Sequence, residues 1–186
     1  MTTIHTHMKT WIILIRGINV GGNNIVPMKE LKAHLGAAGF DGVRTYIQSG
    51  NVAFESGITK QAQICKEVQA CIETHFGFAP QIMALTATRL AKIIKDNPFP
   101  DVVDEPKNLH ISFLARPAKN ANMEKIFALK TKSERFALTD YAAYAHLPDG
   151  VWKSKLGAGL EKCLGVPATA RNWRSAGKIL ELAKKL

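Results

Sequence analysis

Residues 11–15 form a continuous run of apolar side chains, and this run constrains the fold more than any other feature of the chain. A strand without polar alternation must be buried on both faces, so we predict a central strand over residues 10–16. A glycine-rich segment, residues 16–24, follows it, and a helical pattern begins at Pro27, a residue suited to the first helical turn. A loop between a strand and a helix start can present backbone N–H groups to an anion.

Hydrophobic periodicity predicts the same order of elements, β-α-β-β-α-β, in both halves of the chain. In the first half Thr59 is a candidate N-cap for the second helix, and Gly77 is expected to end that helix. In the second half Phe127 is expected to face inward from a helix over residues 120–130. The predicted strands are residues 10–16, 43–48, 52–55, 80–85, 109–115, 134–138, 142–147 and 169–173, and later helices are residues 153–164 and 175–185.

We therefore expect an α+β protein made of two tandem ferredoxin-like halves packed together, plus a C-terminal helix. A chain of 186 residues fits one compact body of two halves, which needs no disulfide or metal for stability. The predicted division is a loose tail over residues 1–8, a first half over 9–96 and a second half over 97–186. His5 and His7 lie in the tail, where a frayed end is expected rather than a metal site.

Three cysteines, Cys65, Cys71 and Cys163, form no C-x-x-C pair, which indicates reduced thiols in a cytosolic protein. No apolar run approaches the ~20 residues that span a bilayer. The N-terminus has no apolar segment typical of a secretory signal. We expect a cytoplasmic protein with no membrane partner, no metal and no cofactor. The sequence leaves the oligomeric state open.

The net charge of +10 is concentrated at the C-terminal end of the chain. Residues 150–186 contain eight Lys or Arg against two Asp or Glu, whereas residues 61–149 contain eleven against ten. This excess favours an acidic partner, which means a nucleic acid, a phosphorylated small molecule or an acidic protein. The alternative is a solvated helix face that only keeps the protein soluble.

The glycine-rich segment is the first candidate site. It is neither a P-loop nor a dinucleotide fingerprint, because its glycines follow a G-x-x-x-G-G spacing. Its glycines permit close backbone approach, and its asparagines supply amide donors beside an arginine that ends the strand. The alternative is a tight turn that packs the strand against the helix. The candidate ligand-binding residues here are Arg16, Gly17, Asn19, Gly21, Gly22 and Asn23.

Three further segments carry candidate ligand-binding residues. The first is a predicted hairpin tip, for which ordinary turn chemistry is the alternative. The second leads into a helix with Ser154 as a candidate N-cap, and its lysines oppose the helix dipole unless an anion bridges them. The third offers guanidinium groups and a stacking ring, unless Trp173 is buried and the arginines pair with Glu161 or Asp149. The candidates are Gln48, Ser49 and Asn51; Lys153, Ser154 and Lys155; and Arg171, Asn172, Trp173, Arg174 and Lys178.

Binding energies indicate that the glycine-rich segment cannot act alone. A millimolar Kd requires about 4 kcal/mol. A helix N-terminus supplies about 0.3–1 kcal/mol, and a charged hydrogen bond supplies roughly 1.5–3 kcal/mol. Arg16 and the loop therefore need further cationic side chains to bind an anion, and these are densest in residues 153–174. We predict that an anion site, if present, lies where the glycine-rich segment faces this basic segment.

Patterns typical of catalysis are scarce in the chain. No G-x-S-x-G or H-E-x-x-H motif is present, and carboxylates cluster at residues 96–105 without a histidine. The histidines His34, His75, His110 and His146 are isolated in the sequence, which favours structural roles. No catalytic residue is assigned, and whether the protein is an enzyme stays open.

Five motifs taken in order resemble one known family. They are RGINVGGNNIVPMKEL, RTYIQSGNVAF, NPF, DGVWKSKL and GVPATARNW. Together they resemble domain-of-unknown-function family 1697 of bacteria, from about Lys9 to the C-terminus. The resemblance implies an α+β fold of two ferredoxin-like halves and implies no particular activity. The positions that match its motifs also include Pro27, Gly50 and Leu156, which are not candidate ligand-binding residues.

The sequence as a whole favours a non-enzymatic cytosolic module that binds a phosphate-bearing partner, with nucleic acid as the first candidate. An enzyme or sensor of a small phosphorylated metabolite or nucleotide is the alternative, if the same donors close over a pocket. A protein-interaction or oligomeric scaffold that uses a sheet face is a third interpretation.

Overall fold

The computed structural model describes residues 8–186. The predicted loose tail, with His5 and His7, lies outside the described residues apart from Met8. The described chain is a mixed α+β fold with two four-stranded antiparallel sheets and six α-helices. No helix in this part of the chain is both long enough and apolar enough to cross a bilayer.

The elements follow one another in the order that hydrophobic periodicity predicts. The strands are β1 (Lys9–Ile15), β2 (Asp41–Tyr46), β3 (Asn51–Ser56), β4 (Ile82–Thr86), β5 (Leu109–Leu114), β6 (Arg135–Leu138), β7 (Ala142–His146) and β8 (Ala168–Asn172). The helices are α1 (Met28–Ala37), α2 (Gln61–Phe76), α3 (Ala87–Lys95), α4 (Met123–Leu129), α5 (Lys155–Leu164) and α6 (Trp173–Ala183). Short 3₁₀ turns, Pro100–Val102 and Val151–Lys153, precede β5 and α5.

The first sheet has the strand order β2-β3-β1-β4, which makes β1 a central strand. Ile13 of β1 lies opposite Val52 of β3 on one side and Ala84 of β4 on the other. All five apolar residues of the run over 11–15 are buried, with exposed fractions of 3% or less. The prediction of a central strand buried on both faces is therefore confirmed, although the strand ends one residue before Arg16.

Helices α1 and α2 build the core of the first sheet. Leu31 and Leu35 on α1, and Val68 and Ile72 on α2, are fully buried in one apolar cluster with Ile13. The spacing of four residues within each pair places both side chains on one face of the helix, which packs against the strands. This packing fixes the loop between β1 and α1, where the first candidate site lies.

The second sheet has the strand order β6-β7-β5-β8, so β5 occupies the position that β1 holds in the first sheet. Helices α4 and α5 pack on it, and Ile126, Leu156 and Leu160 join an apolar cluster with Ala143 and Ala145 of β7. Small residues on the strand let the helices approach closely. The beginning of α5 is thereby held in place beside the 3₁₀ turn.

Tyr144 of β7 is fully buried, and its hydroxyl donates a 2.7 Å hydrogen bond to the carbonyl of Ile93. Burial, together with the charge of Asp96, raises the pKa of Tyr144 to about 12. A buried phenol that keeps its proton and has an acceptor is a structural group. This side chain ties the last turns of α3 to the second sheet.

The described chain divides into two compact units. The first unit contains the residues from β1 to Ala91 together with Lys178–Leu186, and the second contains Lys92–Gly177. Each unit holds one sheet. All three cysteines are free thiols, and burial raises the pKa of Cys65 and Cys71. Neither thiol is activated as a nucleophile.

Three local predictions are wrong. Thr59 does not cap α2, because Lys60 takes the N-cap position without a side-chain hydrogen bond. Phe127 does not face inward: it is 55% exposed, since α4 buries Ile126 and the next residue is rotated by about 100° around the helix. Lys153 does not belong to α5, because a separate 3₁₀ turn contains it.

Candidate functional site

The glycine-rich segment folds as a miniature hairpin. Two backbone hydrogen bonds of 3.1 Å close it, from the N–H of Asn19 to the carbonyl of Asn24 and from the N–H of Asn23 to the carbonyl of Val20. The two glycines at its tip have φ angles of 59° and 78°, as a two-residue type I′ turn requires. The glycines are thus explained by the turn itself, before any ligand is considered.

The side chain of Asn19 braces this hairpin. Its amide donates to the carbonyls of Val26 at 3.0 Å and Gln48 at 2.8 Å, and its Oδ1 accepts from the N–H of Val26 at 2.8 Å. In the same way the amide of Asn24 donates to the carbonyl of Gly17 at 3.0 Å. Both amide hydrogens of Asn19 are therefore used inside the protein, where they hold two loops together.

Arg16 stands at the edge of an open depression of about 460 Å³. Its Nη1 donates to Oε1 of Gln81 at 3.3 Å, and the depression is also lined by Gly17, Asn24 and residues 78–80. A guanidinium group beside an open, partly polar depression can donate hydrogen bonds to a small anion. This is the part of the predicted anion site that the first unit contains.

The hairpin tip between β2 and β3 is shaped by its own side chains. Asn51 is fully buried, and its amide donates to the carbonyl of Tyr46 at 3.2 Å and to Oγ of Ser49 at 2.8 Å. Gly50 is also buried, with a φ of 74°. Ser49 and Asn51 therefore have a turn-forming role, whereas the side chain of Gln48 is exposed.

The structure brings these first two candidate segments together. The bond from Asn19 to Gln48 ties the glycine-rich hairpin to the β2–β3 tip, and three exposed aliphatic side chains belong to these two segments or directly adjoin them in the sequence. Val20, Ile25 and Ile47 are exposed to 66%, 58% and 53%. The combined surface is therefore apolar and amide-rich rather than densely charged.

The third candidate segment is a rigid turn in the second unit. The N–H of Gly150 donates to Leu147 at 2.9 Å, and the N–H of Lys153 donates to Gly150 at 3.1 Å. Ser154 is buried and caps α5, because its Oγ accepts from the N–H of Gly157 at 2.8 Å. The prediction of Ser154 as N-cap is confirmed, and this hydroxyl is committed to the helix.

The side chains that surround Ser154 point to solvent. Lys153 and Lys155 are exposed, no acidic residue lies in the first turn of α5, and Trp152 is 96% exposed. Trp152 lies in the DGVWKSKL motif, but it is not among the candidate residues predicted from the sequence. Its position between Gly150, which has a φ of 89°, and the two lysines is the feature that could have singled it out. No sequence pattern shows whether an indole is exposed.

The fourth candidate segment begins in β8 and continues into α6. Arg171 on β8 is half-buried, and burial lowers its pKa to about 10. Asn172 accepts a hydrogen bond from the N–H of Ser175 at 2.9 Å at the start of α6, and Arg174 is exposed. Lys178 belongs to the first unit, where its Nζ pairs with Glu181 at 2.9 Å. Arg171 is therefore partly withdrawn from solvent, whereas Arg174 and Lys178 lie one helical turn apart on α6 and are both exposed.

The acidic loop before β5 is bound to the second sheet. Asp101 pairs with Arg135 at 2.5 Å, and Glu105 accepts from Nε2 of His146 at 2.9 Å. The hydrogen bonds from Arg135 and His146 lower the pKa of Asp101 and of Glu105, respectively. Asp101 and Glu105 therefore have structural partners, and the lowered pKa of each opposes a role as a general acid at neutral pH.

The remaining histidines are not part of a metal cluster. The rings of His34 and His75 stack with centroids 3.6 Å apart, and burial lowers the pKa of His110 despite its hydrogen bond to the backbone of Lys107. Nowhere in residues 8–186 do three His, Cys, Asp or Glu side chains gather in a way that could hold a metal ion.

The predicted meeting of the glycine-rich segment with the basic segment stays a prediction. Arg16 and residues 17–23 lie in the first unit, whereas Lys153, Lys155 and residues 171–174 lie in the second. In the first unit Asn19 joins the two candidate segments. In the second unit Lys153 ends the 3₁₀ turn and Lys155 begins α5.

Comparison with known proteins places the chain in a family. Residues 8–144 match the sequence model of the family described as "Protein of unknown function (DUF1697)". The chain belongs to this family. The match includes the glycine-rich hairpin and the β2–β3 tip, and it ends before Trp152.

The chain is also similar to a solved structure, the conserved bacterial protein SP0830 from Streptococcus pneumoniae. The two are 23% identical, the alignment covers 95% of this chain and 99% of that chain, and the TM-score is 0.68. This likeness shows a shared α+β fold over nearly the whole chain. No curated protein matches the sequence.

Proposed function

We propose that the protein is a non-enzymatic cytosolic module that binds the phosphate backbone of a nucleic acid. The observation that carries this proposal is the pair of exposed lysines, Lys153 and Lys155, at the start of α5. Neither has a carboxylate within ion-pair distance among residues 8–186, and the first turn of α5 has no acidic residue. Positive charge at a helix N-terminus opposes the helix dipole and is offset by a bound anion.

The charge of the chain supports a polyanionic partner. Eight of the 25 Lys and Arg residues lie after residue 149, and the net charge is +10. Each phosphate that a lysine neutralises releases a counterion, so binding to nucleic acid gains free energy without base recognition. An exposed Arg174 in the same unit adds a third cation to this end of the chain.

A salt titration with charge-neutral variants tests the proposal. Fluorescence anisotropy measures the affinity for labelled oligonucleotides as salt is raised, and the double variant Lys153→Gln/Lys155→Gln is compared with wild type. If each lysine contacts one phosphate, the slope of log affinity against log salt becomes shallower by about 1.4 for a single strand. Absence of binding at low salt to DNA and RNA alike would overturn the proposal.

The chain offers a matched control for this experiment. Lys60 at the N-cap of α2 and Lys66 in the second turn of this helix are both exposed in the first unit, so Lys60→Gln/Lys66→Gln removes the same charge elsewhere. We expect this control to keep the wild-type slope, because short-range contacts rather than net charge set the number of released counterions.

A second candidate function is supported by the depression beside Arg16. Its volume of about 460 Å³ suits a small phosphorylated metabolite or nucleotide, for which the protein would be an enzyme or a sensor. Thermal-shift screening with nucleotides and sugar phosphates tests this function. Stabilisation that is lost in Arg16→Gln and kept in Lys153→Gln supports it, and a screen without any stabilising compound rejects it.

We also propose the finer description of the fold, two tandem ferredoxin-like halves over residues 9–96 and 97–186. The strand orders β2-β3-β1-β4 and β6-β7-β5-β8 support it, since both place the first strand of the half beside its third and fourth. This is the pairing that a β-α-β-β-α-β unit adopts when its two helices cover one face.

A further inference from the structure

We propose that Trp152 is a stacking platform for an unpaired nucleobase, so that the preferred partner is single-stranded nucleic acid. The inference rests on the proposed function and adds to it the class of nucleic acid. It is carried by the exposed indole of Trp152, by the rigid turn that holds it and by the two lysines that follow it.

The exposure of Trp152 sets it apart from the other tryptophans. Trp152 is 96% exposed, whereas Trp11 is 3% exposed and its indole N–H donates to the carbonyl of Ile58 at 3.0 Å. Trp173 is half-buried. A large indole held almost entirely in water forgoes the burial that normally stabilises it, so its whole ring is available to a partner.

The turn that carries Trp152 is anchored rather than loose. Val151 packs against the apolar cluster of the second unit, and a Cβ on Gly157 would lie 3.1 Å from the Val151 side chain, so the turn lies tight against α5. The N–H of Ser154 donates to the carbonyl of Val151 at 3.3 Å. The backbone beneath the ring is therefore fixed before a ligand arrives, which lowers the entropic cost of binding.

The chemistry around the ring fits a base with its phosphates. Lys153 and Lys155 are exposed next to Trp152, so one face of an aromatic ring and two ammonium groups are available together. Aromatic stacking requires the flat face of a base, which a single strand offers and a duplex hides. The lysines bind the phosphates of a single strand and of a duplex equally, so the indole ring is the group that favours the single strand.

The same surface is poorly suited to a bilayer. The apolar neighbours Leu147 and Leu156 are buried and Val151 is half-buried, so a single ring protrudes instead of an apolar face. Insertion into a membrane interface depends on a wide apolar face on the protein. The observations favour a nucleic acid, and a lipid surface becomes an outcome of the test.

The test measures the affinity of the full chain for labelled oligo(dT) and for the oligo(dA)·oligo(dT) duplex by anisotropy. Trp152→Ala is expected to weaken binding to the single strand by about 5- to 150-fold, the range typical of one lost stacking interaction, and to leave duplex binding unchanged. Trp152→Phe keeps a ring and should retain most of the affinity, whereas Trp152→Leu should behave like alanine. Because the side chain is exposed, all three variants should melt at the wild-type temperature.

The outcomes separate the inference from the proposed function. If wild type binds both oligonucleotides and the lysine double variant weakens both, but Trp152→Ala changes neither, the inference is overturned and the proposed function stands. If wild type binds neither, both are overturned. A loss on Trp152→Ala confined to phosphatidylcholine vesicles containing phosphatidylglycerol would identify a lipid surface and also overturn the inference.

Discussion

Ile47 is held in a backbone conformation that its side chain disfavours. Its φ is 49°, in the left-handed region, where a β-branched residue is an outlier, and its side chain is 53% exposed. A left-handed residue with a Cβ costs about 1–2 kcal/mol, and asparagine tolerates this region better. We expect Ile47→Asn to raise the free energy of unfolding by about 1 kcal/mol, as measured by urea denaturation.

A β-branched replacement is the control for that measurement. Ile47→Val keeps the branch and the exposed position, so its stability should stay within about 0.5 kcal/mol of wild type, as at an ordinary surface site. A destabilised Ile47→Asn would mean that the isoleucine side chain makes contacts worth more than the backbone strain.

Single residues also show where sequence reasoning stops. The asparagines and glycines of residues 16–24 could be recognised as polar and turn-forming, but the same residue types serve a ligand site and a braced hairpin equally well. The tertiary structure decides between them, because the amide of Asn19 donates to the carbonyls of Val26 and Gln48. Trp11 and Trp152 likewise differ in exposure, 3% against 96%, through tertiary packing that no local pattern encodes.

At the scale of elements, the β2–β3 hairpin depends on Gly50. A Cβ there would lie 2.8 Å from the carbonyl oxygen of Ile15 and 2.9 Å from its Cβ, and the φ is 74°. Gly50→Ala therefore combines backbone strain with a clash against a central strand. We expect a loss of about 2–4 kcal/mol in the free energy of unfolding, measured by chemical denaturation.

Gly36 provides the opposite case within the same unit. It lies inside α1, and a Cβ there would meet nothing within 4 Å. Gly36→Ala should raise stability by about 0.5–1 kcal/mol, because alanine loses less conformational entropy in a helix. Equal effects of the two substitutions would contradict the view that close approach to β1 decides the outcome at Gly50.

Element types were predictable because their signals are local, whereas exact ends were not. The continuous apolar run predicted a central β1, and hydrophobic periodicity predicted the order of strands and helices around it. A helix start depends on which residue supplies the N-cap. The prediction of an N-cap was therefore wrong for Thr59 and was confirmed for Ser154. Phe127 shows that a short helix can rotate an apolar residue out of the core.

At the scale of the whole molecule, the repeated order of elements was predictable and the assembly of a site was not. Two sheets with corresponding strand orders follow from two similar hydrophobic patterns. Whether residues 16–24 and 153–174 form one site depends on contacts far apart in the sequence, and these segments lie in different units. Charge counts located the cations of the chain but could not show that Arg171 is half-buried.

Sensitivity to mild acid is expected to begin in the second unit. Burial lowers the pKa of His110 below its ordinary value of 6.5, and its Nε2 has no hydrogen-bond partner among residues 8–186. Between the two pKa values the unfolded chain is protonated at His110 and the folded chain is not. The contribution of His110 to the free energy of unfolding is therefore fully present above pH 6.5 and is lost as the pH falls through the lowered pKa. The lowered pKa values of Asp101 and Glu105 act with the same sign at lower pH.

Hydrogen exchange followed from about pH 7 to about pH 5.5, corrected for intrinsic rates, should therefore show protection falling in β5 and β7 before it falls in β1 and β3. His110→Asn removes the titrating ring and retains an amide that can donate to the carbonyl of Lys107. In this variant the early loss in β5 and β7 should disappear, because no group with a pKa near neutrality remains in that core position. Equal loss of protection in both units of the wild type, or an unchanged profile in His110→Asn, would show that another group controls the response.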